Sequence, residues 1–234
     1  LVRALQLGAV PHVRPSALRD LARLCLDGGR TGDAQRLLTQ LLQHDEHRTA
    51  ARYHLGRVAA RLGKHKKAIH YFRKHLSESA DERADVWARI GASYLHLGEP
   101  ARAREACNRA LAIDPGDLSA RWILGSALLE EDLPEDATRV FREILELAPD
   151  HHDAFAELVR LRTNDGDVRW LRQALRSETA VYDRLGATAW RRDPQTGREL
   201  SIDPRQSTRD RIDALIKGLG RVDSDVTATV LGCL

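Results

Sequence analysis

The sequence predicts an all-α protein, a solenoid of helical hairpins with a small hairpin-and-helix appendage at its C-terminal end. Three observations carry that expectation. Apolar residues recur at i, i+3, i+4 and i+7 through most of residues 15–185, the spacing that lines one face of an α-helix. These stretches come in pairs joined by turns bearing Gly or Pro, and the pairs repeat about every 34 residues. Composition agrees, with 30% charged, 42% hydrophobic and 5% aromatic residues among 234, which suits helices that bury one stripe and solvate the other.

The unit is clearest at residues 84–117. Trp87, Ile90, Gly91 and Tyr94 form an apolar helical face, with a small residue where a neighbour must approach closely. Gly98-Glu99-Pro100 stops that helix, Ala103, Cys107 and Ala110 mark the inner face of a second, and Pro115-Gly116 ends it. Trp87 reads as core.

This spacing resembles the tetratricopeptide repeat, whose pattern of Trp, Leu-Gly, Tyr, Ala, Phe and Pro spans about 34 residues. Ile90 stands for the Leu and Cys107 for the Phe. The resemblance implies a right-handed solenoid and covers roughly residues 15–185.

Residues 1–14 read as an N-terminal extension with a short helix before Pro11. The first repeat, 15–48, has Leu18, Leu21, Ala22 and Cys25, a Gly28-Gly29 break, then Ala34, Leu38 and Leu41. The second, 49–82, has Leu55-Gly56, Ala59, a turn at Gly63, then Ala68 and Phe72; Arg52, His75 and Ala80 depart from the pattern. After 84–117, the fourth repeat, 118–151, carries Leu124-Gly125, Leu128, Ala137, Phe141, Ile144 and Pro149. The fifth, 152–185, is degenerate, with Val159, Arg162 and Leu171 at pattern positions, as a terminal unit that must tolerate water should be.

Residues 186–234 read as a small α/β tail. Thr188 to Arg192 and Arg198 to Ile202 flank a turn with Pro194 and Gly197, a β-hairpin signature. Ser207 is expected to cap a helix carrying Ile212, Leu215, Ile216 and Leu219, closed near Gly218 or Gly220. Val226 to Leu231 reads as a strand, and a chain stopping there is expected to be part of a larger one, as is a chain with no Met that starts at Leu1. Over its last thirty or so residues, without a diagnostic motif, this ending resembles the opening of a roadblock-type domain, a module of small-GTPase regulators.

The formal charge of +3 does not by itself argue for nucleic acid, and Asp85, Glu130 and Asp153 interrupt any continuous basic stripe. Arg far outnumbers Lys, the signature of a GC-rich bacterial genome. Cys25, Cys107 and Cys233 lack metal-ligand spacing, so a reducing, cytoplasmic setting is expected, with no membrane span. No nucleophile–base group, phosphate loop or carboxylate pair appears, so the expected protein is noncatalytic and without cofactor. His44, His47, His151 and His152 fall at inter-repeat turns and read as surface residues rather than metal ligands, while His65, His70 and His75 spiral around one helix.

In tetratricopeptide arrays the first helix of each repeat lines a concave groove, and carrying the family's groove positions over selects Arg19, Arg23, Tyr53, Arg57, Arg61, Trp122 and Arg160 as partner-binding residues, to which Arg89, at a position of the family's carboxylate clamp, is added. Arg19 and Arg23 are one turn apart, a repulsion that an acidic partner relieves, unless Asp20 and Asp27 already do so. Trp122 is of the type that anchors interfaces. The family's carboxylate clamp is not matched, because its positions hold Arg19, Arg23, His54, Asp85 and Arg89. The expected function is a scaffold that binds an acidic, apolar peptide or helix. The alternative is the regulatory part of a larger signalling protein or enzyme. Homo-oligomers through exposed solenoid ends are also anticipated.

Overall fold

The computed structural model describes residues 15–79, 82–184, 189–192, 199–202 and 206–222. The chain divides between Leu133 and Pro134 into two compact units. The first contains helices α1 (Pro15–Asp27), α2 (Thr31–Leu41), α3 (Asp45–Arg61), α4 (His65–Glu78), α5 (Ala84–Leu95), α6 (Pro100–Ile113) and α7 (Leu118–Glu130). The second contains α8 (Pro134–Leu147), α9 (His152–Asn164), α10 (Val168–Arg184), strands β1 (Ala189–Arg192) and β2 (Glu199–Ile202), and α11 (Gln206–Val222).

Each hairpin turn closes in the same way. A residue with positive φ follows the first helix at Gly29, Gly63, Gly98, Asp132 and Gly166, 34 or 35 residues apart. The next amide donates back across the helix end, from Arg30 N to Cys25 O, Lys64 N to Ala59 O, Glu99 N to Tyr94 O, Leu133 N to Leu128 O and Asp167 N to Arg162 O, at 2.7–3.0 Å. These bonds satisfy carbonyls that the helix leaves without partners. Asp132 holds the left-handed conformation without glycine (φ 59°), which a short polar side chain tolerates better than other non-glycine residues do.

In the first unit, α1 with α2, α3 with α4 and α5 with α6 pair as antiparallel neighbours, and each later first helix also packs on the preceding hairpin. One core joins Leu18, Ala22, Leu38, Leu41 and Leu55; the next joins Ala59, Phe72, Val86, Ile90 and Ala103. The small residues at the pattern glycines are required by close approach. A Cβ on Gly56 would sit 2.5 Å from Phe72 Cε1, and one on Gly91 would sit 2.7 Å from Cys107 Sγ. His75, out of pattern, is buried and its Nδ1 lies 2.9 Å from the Thr49 carbonyl oxygen. Trp87 packs against two core clusters, as the sequence expects, while its side chain stays half-buried, with the Arg109 guanidinium 4.8 Å from its ring centre.

In the second unit, α11 packs on both α9 and α10, through Leu215 and Leu219 against Phe155, Val159 and Leu171. Its relation to that hairpin is the one α7 has to α5 and α6, so α11 covers the last described hairpin. The expected closure of this helix at Gly218 or Gly220 is corrected, since α11 continues to Val222. Gly218 is a packing position instead, where a Cβ would lie 2.7 Å from Thr163 Oγ1. Ser207 falls inside the helix rather than at its cap. Arg211 reaches Glu178 at 3.3 Å, both largely buried, and lies over the Phe155 ring. Strands β1 and β2 pair antiparallel with Trp190 opposite Ser201, as the hairpin signature anticipates. The readings of residues 1–14, of Ala80, of Cys233 and of a strand at 226–231 lie outside the described residues. Among the described residues no helix is long and apolar enough to cross a membrane.

Candidate functional site: a basic surface on the first helices

The candidate surface in the first unit is built on α1, α3, α5 and α7. Its centre is His54 on α3, half-buried and with Nδ1 buried and without a hydrogen-bond partner. Burial lowers the affinity of the ring for a proton, and the positive fields of Arg57, Arg19, Arg23 and Arg83 lower it further, taking its pKa from 6.5 down to about 4. The positive fields of four guanidiniums, two on α1, one on α3 and one just before α5, therefore act on one neutral imidazole.

Their commitments differ. Arg19 lies 3.4 Å from Asp20. Arg83 grips Asp85 with two hydrogen bonds of 3.0 and 3.1 Å. Arg23 and Arg57 have no carboxylate partner among the described residues; the anticipated Arg23–Asp27 pair does not form. An acidic ligand would meet these two guanidiniums before it had to break any internal ion pair.

The charge of Asp85 is offset by its own partners. The Tyr53 hydroxyl donates to its Oδ2 at 2.8 Å, Arg83 holds it on one side, and Arg89 stands 3.9 Å away. Tyr53 is thereby fixed as a link between α3 and α5, packed near Phe72 and His75 with Arg83 above its ring at 4.9 Å. Arg61 donates to the Leu26 carbonyl at the end of α1, tying α3 to the first hairpin. Of the residues that the sequence singles out, Arg19, Arg23 and Arg57 all exert their fields on His54; Arg61 and Arg89 are engaged with neighbours.

Trp122 sits half-buried on α7. Arg160 belongs to the second unit, on α9, where it pairs with Glu157 at 2.7 Å. Arg83 is the contributor that groove positions alone miss. It precedes α5 as its N-cap residue, and the signal for it is the Arg83-Ala84-Asp85 spacing that lets it chelate the carboxylate. His151 is also explained without a metal, since its Nδ1 accepts from Ala154 N and caps α9. Among the described residues no group of three His, Cys, Asp or Glu is arranged to hold a metal ion. Cys25 and Cys107 are buried free thiols, and burial raises the Cys107 pKa to about 12.

Two family models of the tetratricopeptide repeat match, one at residues 19–83 and the other at 84–117. Among solved structures of similar fold is one of MamA (TM-score 0.64, 18% identity, covering 75% of this chain and 97% of that one). Another is MamA from Desulfovibrio magneticus RS-1 (0.60, 22%, 65% and 86%). YrrB, described as a TPR protein with an unusual peptide-binding site, aligns at 0.55 and 19%, over 86% of this chain and 84% of its own. Residues 19–117 thus carry tetratricopeptide repeats, and the chain has the fold of the tetratricopeptide solenoids it resembles. Its sequence relatives include the FK506-binding protein-like protein of Mus musculus, 27% identical over 62% of this chain. A second is the RNA polymerase-associated protein CTR9 of Caenorhabditis elegans, 33% identical over 40% of the chain. The matches span 43% and 8% of those relatives' own lengths.

Proposed function

We propose that the first-helix surface of residues 15–133 captures a segment of a partner protein that carries acidic side chains and an apolar anchor, and that the protein is a noncatalytic cytoplasmic scaffold. One feature carries this reading: the positive fields of four arginines act on the half-buried His54, and two of the four have no carboxylate among the described residues. Like charges held close together cost free energy that an incoming carboxylate returns. Arg23 and Arg57 make the charged contacts, Arg19 exchanges Asp20 for the ligand, and Trp122 receives the apolar residue. Arg61 and Arg89, with Tyr53, hold the surface in shape. Arg160 contributes to a separate surface of the second unit. Charge sets approach rate and orientation, while the apolar contact supplies more of the affinity.

The test is a fluorescence-polarisation titration of the full chain with a panel of peptides that differ in acidic and apolar content. Arg57→Glu is expected to weaken the acidic, apolar peptides by about tenfold or more, and Trp122→Ala to weaken only those with an apolar residue, both with unchanged helicity. Equal affinity for acidic and basic peptides, or indifference to Arg57→Glu, would overturn the reading.

A further inference from the structure

The first unit has a second cluster of arginines that the groove does not use. Trp87 and Tyr94 of α5 line a cleft of about 200 Å³ together with Arg73 of α4 and Arg102, Glu105, Ala106 and Arg109 of α6. An α-helix turns about 100° per residue. Trp87 and Tyr94 therefore lie roughly 160° and 180° around α5 from Asp85.

The chemistry of the cleft is that of an anion site. Arg73, Arg102 and Arg109 outnumber its one lining acid, Glu105. Arg109 lies over the Trp87 ring at 4.8 Å and pairs with Glu105 at 3.1 Å. Arg102 is 5.8 Å from the centre of the Tyr94 ring and pairs with Glu99 at 2.8 Å. Arg73 donates to the Tyr94 hydroxyl at 2.9 Å and has no carboxylate among the described residues. The indole Nε1 of Trp87 is buried without an acceptor. An indole is a donor only, so what it lacks is an acceptor. A carboxylate offers two oxygens, which a single guanidinium fork satisfies, whereas a phosphate monoester presents three and carries nearly twice the charge. Three forks from two helices match the latter, and the two aromatic rings give its organic group a surface to lie on.

We infer that this cleft between α4 and α6 binds a phosphate monoester, held by Arg73, Arg102 and Arg109 with its organic group against Trp87 and Tyr94. Two sources share that chemistry, a free phosphomonoester and a phosphorylated side chain. The proposal does not depend on the groove.

Isothermal titration calorimetry of the full chain, with inorganic phosphate, phenyl phosphate, a phosphotyrosine pentapeptide and benzoate, tests it. Phenyl phosphate is expected to bind saturably and more tightly than inorganic phosphate or benzoate. A pentapeptide tighter than phenyl phosphate assigns the phosphorylated side chain; an equal or weaker one assigns the free ester. Arg73→Gln and Arg109→Gln should each weaken binding about tenfold. Glu105→Gln, which removes the lining acid, should tighten it severalfold, a gain that misfolding cannot mimic. Arg57→Gln should leave it unchanged. The inference is overturned by no saturable binding at millimolar phenyl phosphate, by benzoate binding equally well, by weaker binding in Glu105→Gln, or by loss in Arg57→Gln with retention in Arg73→Gln.

Discussion

Gly56→Ala sets two opposed effects against each other inside α3. In an exposed helix interior the change stabilises by about 1 kcal/mol, because alanine has less backbone entropy to lose. Here the new Cβ would fall 2.5, 2.7 and 2.9 Å from three carbons of the Phe72 ring. Phe72 is fully buried, so the ring cannot swing into solvent, and relief requires α3 and α4 to move apart. Overpacking of this kind costs roughly 1–3 kcal/mol, and contact with three rigid ring atoms places it at the upper end. The net expectation is a destabilisation of about 1–2 kcal/mol. For a chain of 150–250 residues each kcal/mol moves Tm by about 2–4 °C, so thermal unfolding followed by far-UV circular dichroism should show a fall of roughly 2–8 °C. A double-mutant cycle isolates the cause. Phe72→Ala alone should cost about 3–5 kcal/mol, and distinctly less in the Gly56→Ala background, since the alanine methyl then occupies part of the void. A rise in Tm for Gly56→Ala, or additivity in the cycle, would refute the close-packing account of this glycine.

Other consequences can be checked independently. Because the folded pKa of His54 lies below its unfolded value of 6.5, its contribution to stability is fully present above pH 6.5 and is lost as pH falls toward about 4. Allowing for the solvent that reaches the ring and its arginines, roughly 1–2 kcal/mol is at stake. His54→Gln should therefore show a smaller loss of urea midpoint between pH 7 and pH 5 than wild type, and an equal loss in both would contradict the assignment. Tyr53→Phe removes the donor to Asp85 and should cost about 1 kcal/mol, read from the urea midpoint. Gly218→Val should displace α11 from Thr163 and Val159, seen as faster amide exchange in α9, α10 and α11 with α1–α7 unchanged; protection equal to wild type would show that α11 accommodates the side chain.

Helices, turns and core faces were legible because the tetratricopeptide spacing is set by local physics. Leu55-Gly56 with Phe72, and Ile90-Gly91 with Cys107, are visible as apolar residues at helical spacing with a gap where a neighbour intrudes. The glycine turns at 29, 63 and 98 are equally visible; Asp132 was hidden because aspartate seldom takes that conformation. The core side of Trp87 was legible, but a pattern position identifies which side of the helix a residue occupies and not whether its outer edge is covered, and here an arginine lies over the ring. Gly218 misled: glycine ends helices and also permits helices to touch, and only the partner helix distinguishes the two. The candidate surface was partly legible. Arg19, Arg23 and Arg57 could be placed on one face from repeat positions, but Arg83 lies before its helix and depends on the conformation of a turn. The engagement of Arg61 with Leu26 and of Arg89 with Asp85 depends on contacts made by side chains from different repeats, which no spacing encodes.

The central claim, that Arg23 and Arg57 around neutral His54 select an acidic and apolar partner segment, is tested most directly by affinity selection. A random peptide library is selected on the full wild-type chain and on Arg23→Glu/Arg57→Glu, with the bound sequences read out. Wild type should enrich Asp and Glu near an apolar residue, and the charge-reversed chain should lose those sequences and enrich Lys and Arg in their place. The same enrichment from both proteins, or wild-type sequences without acidic residues, would contradict the account.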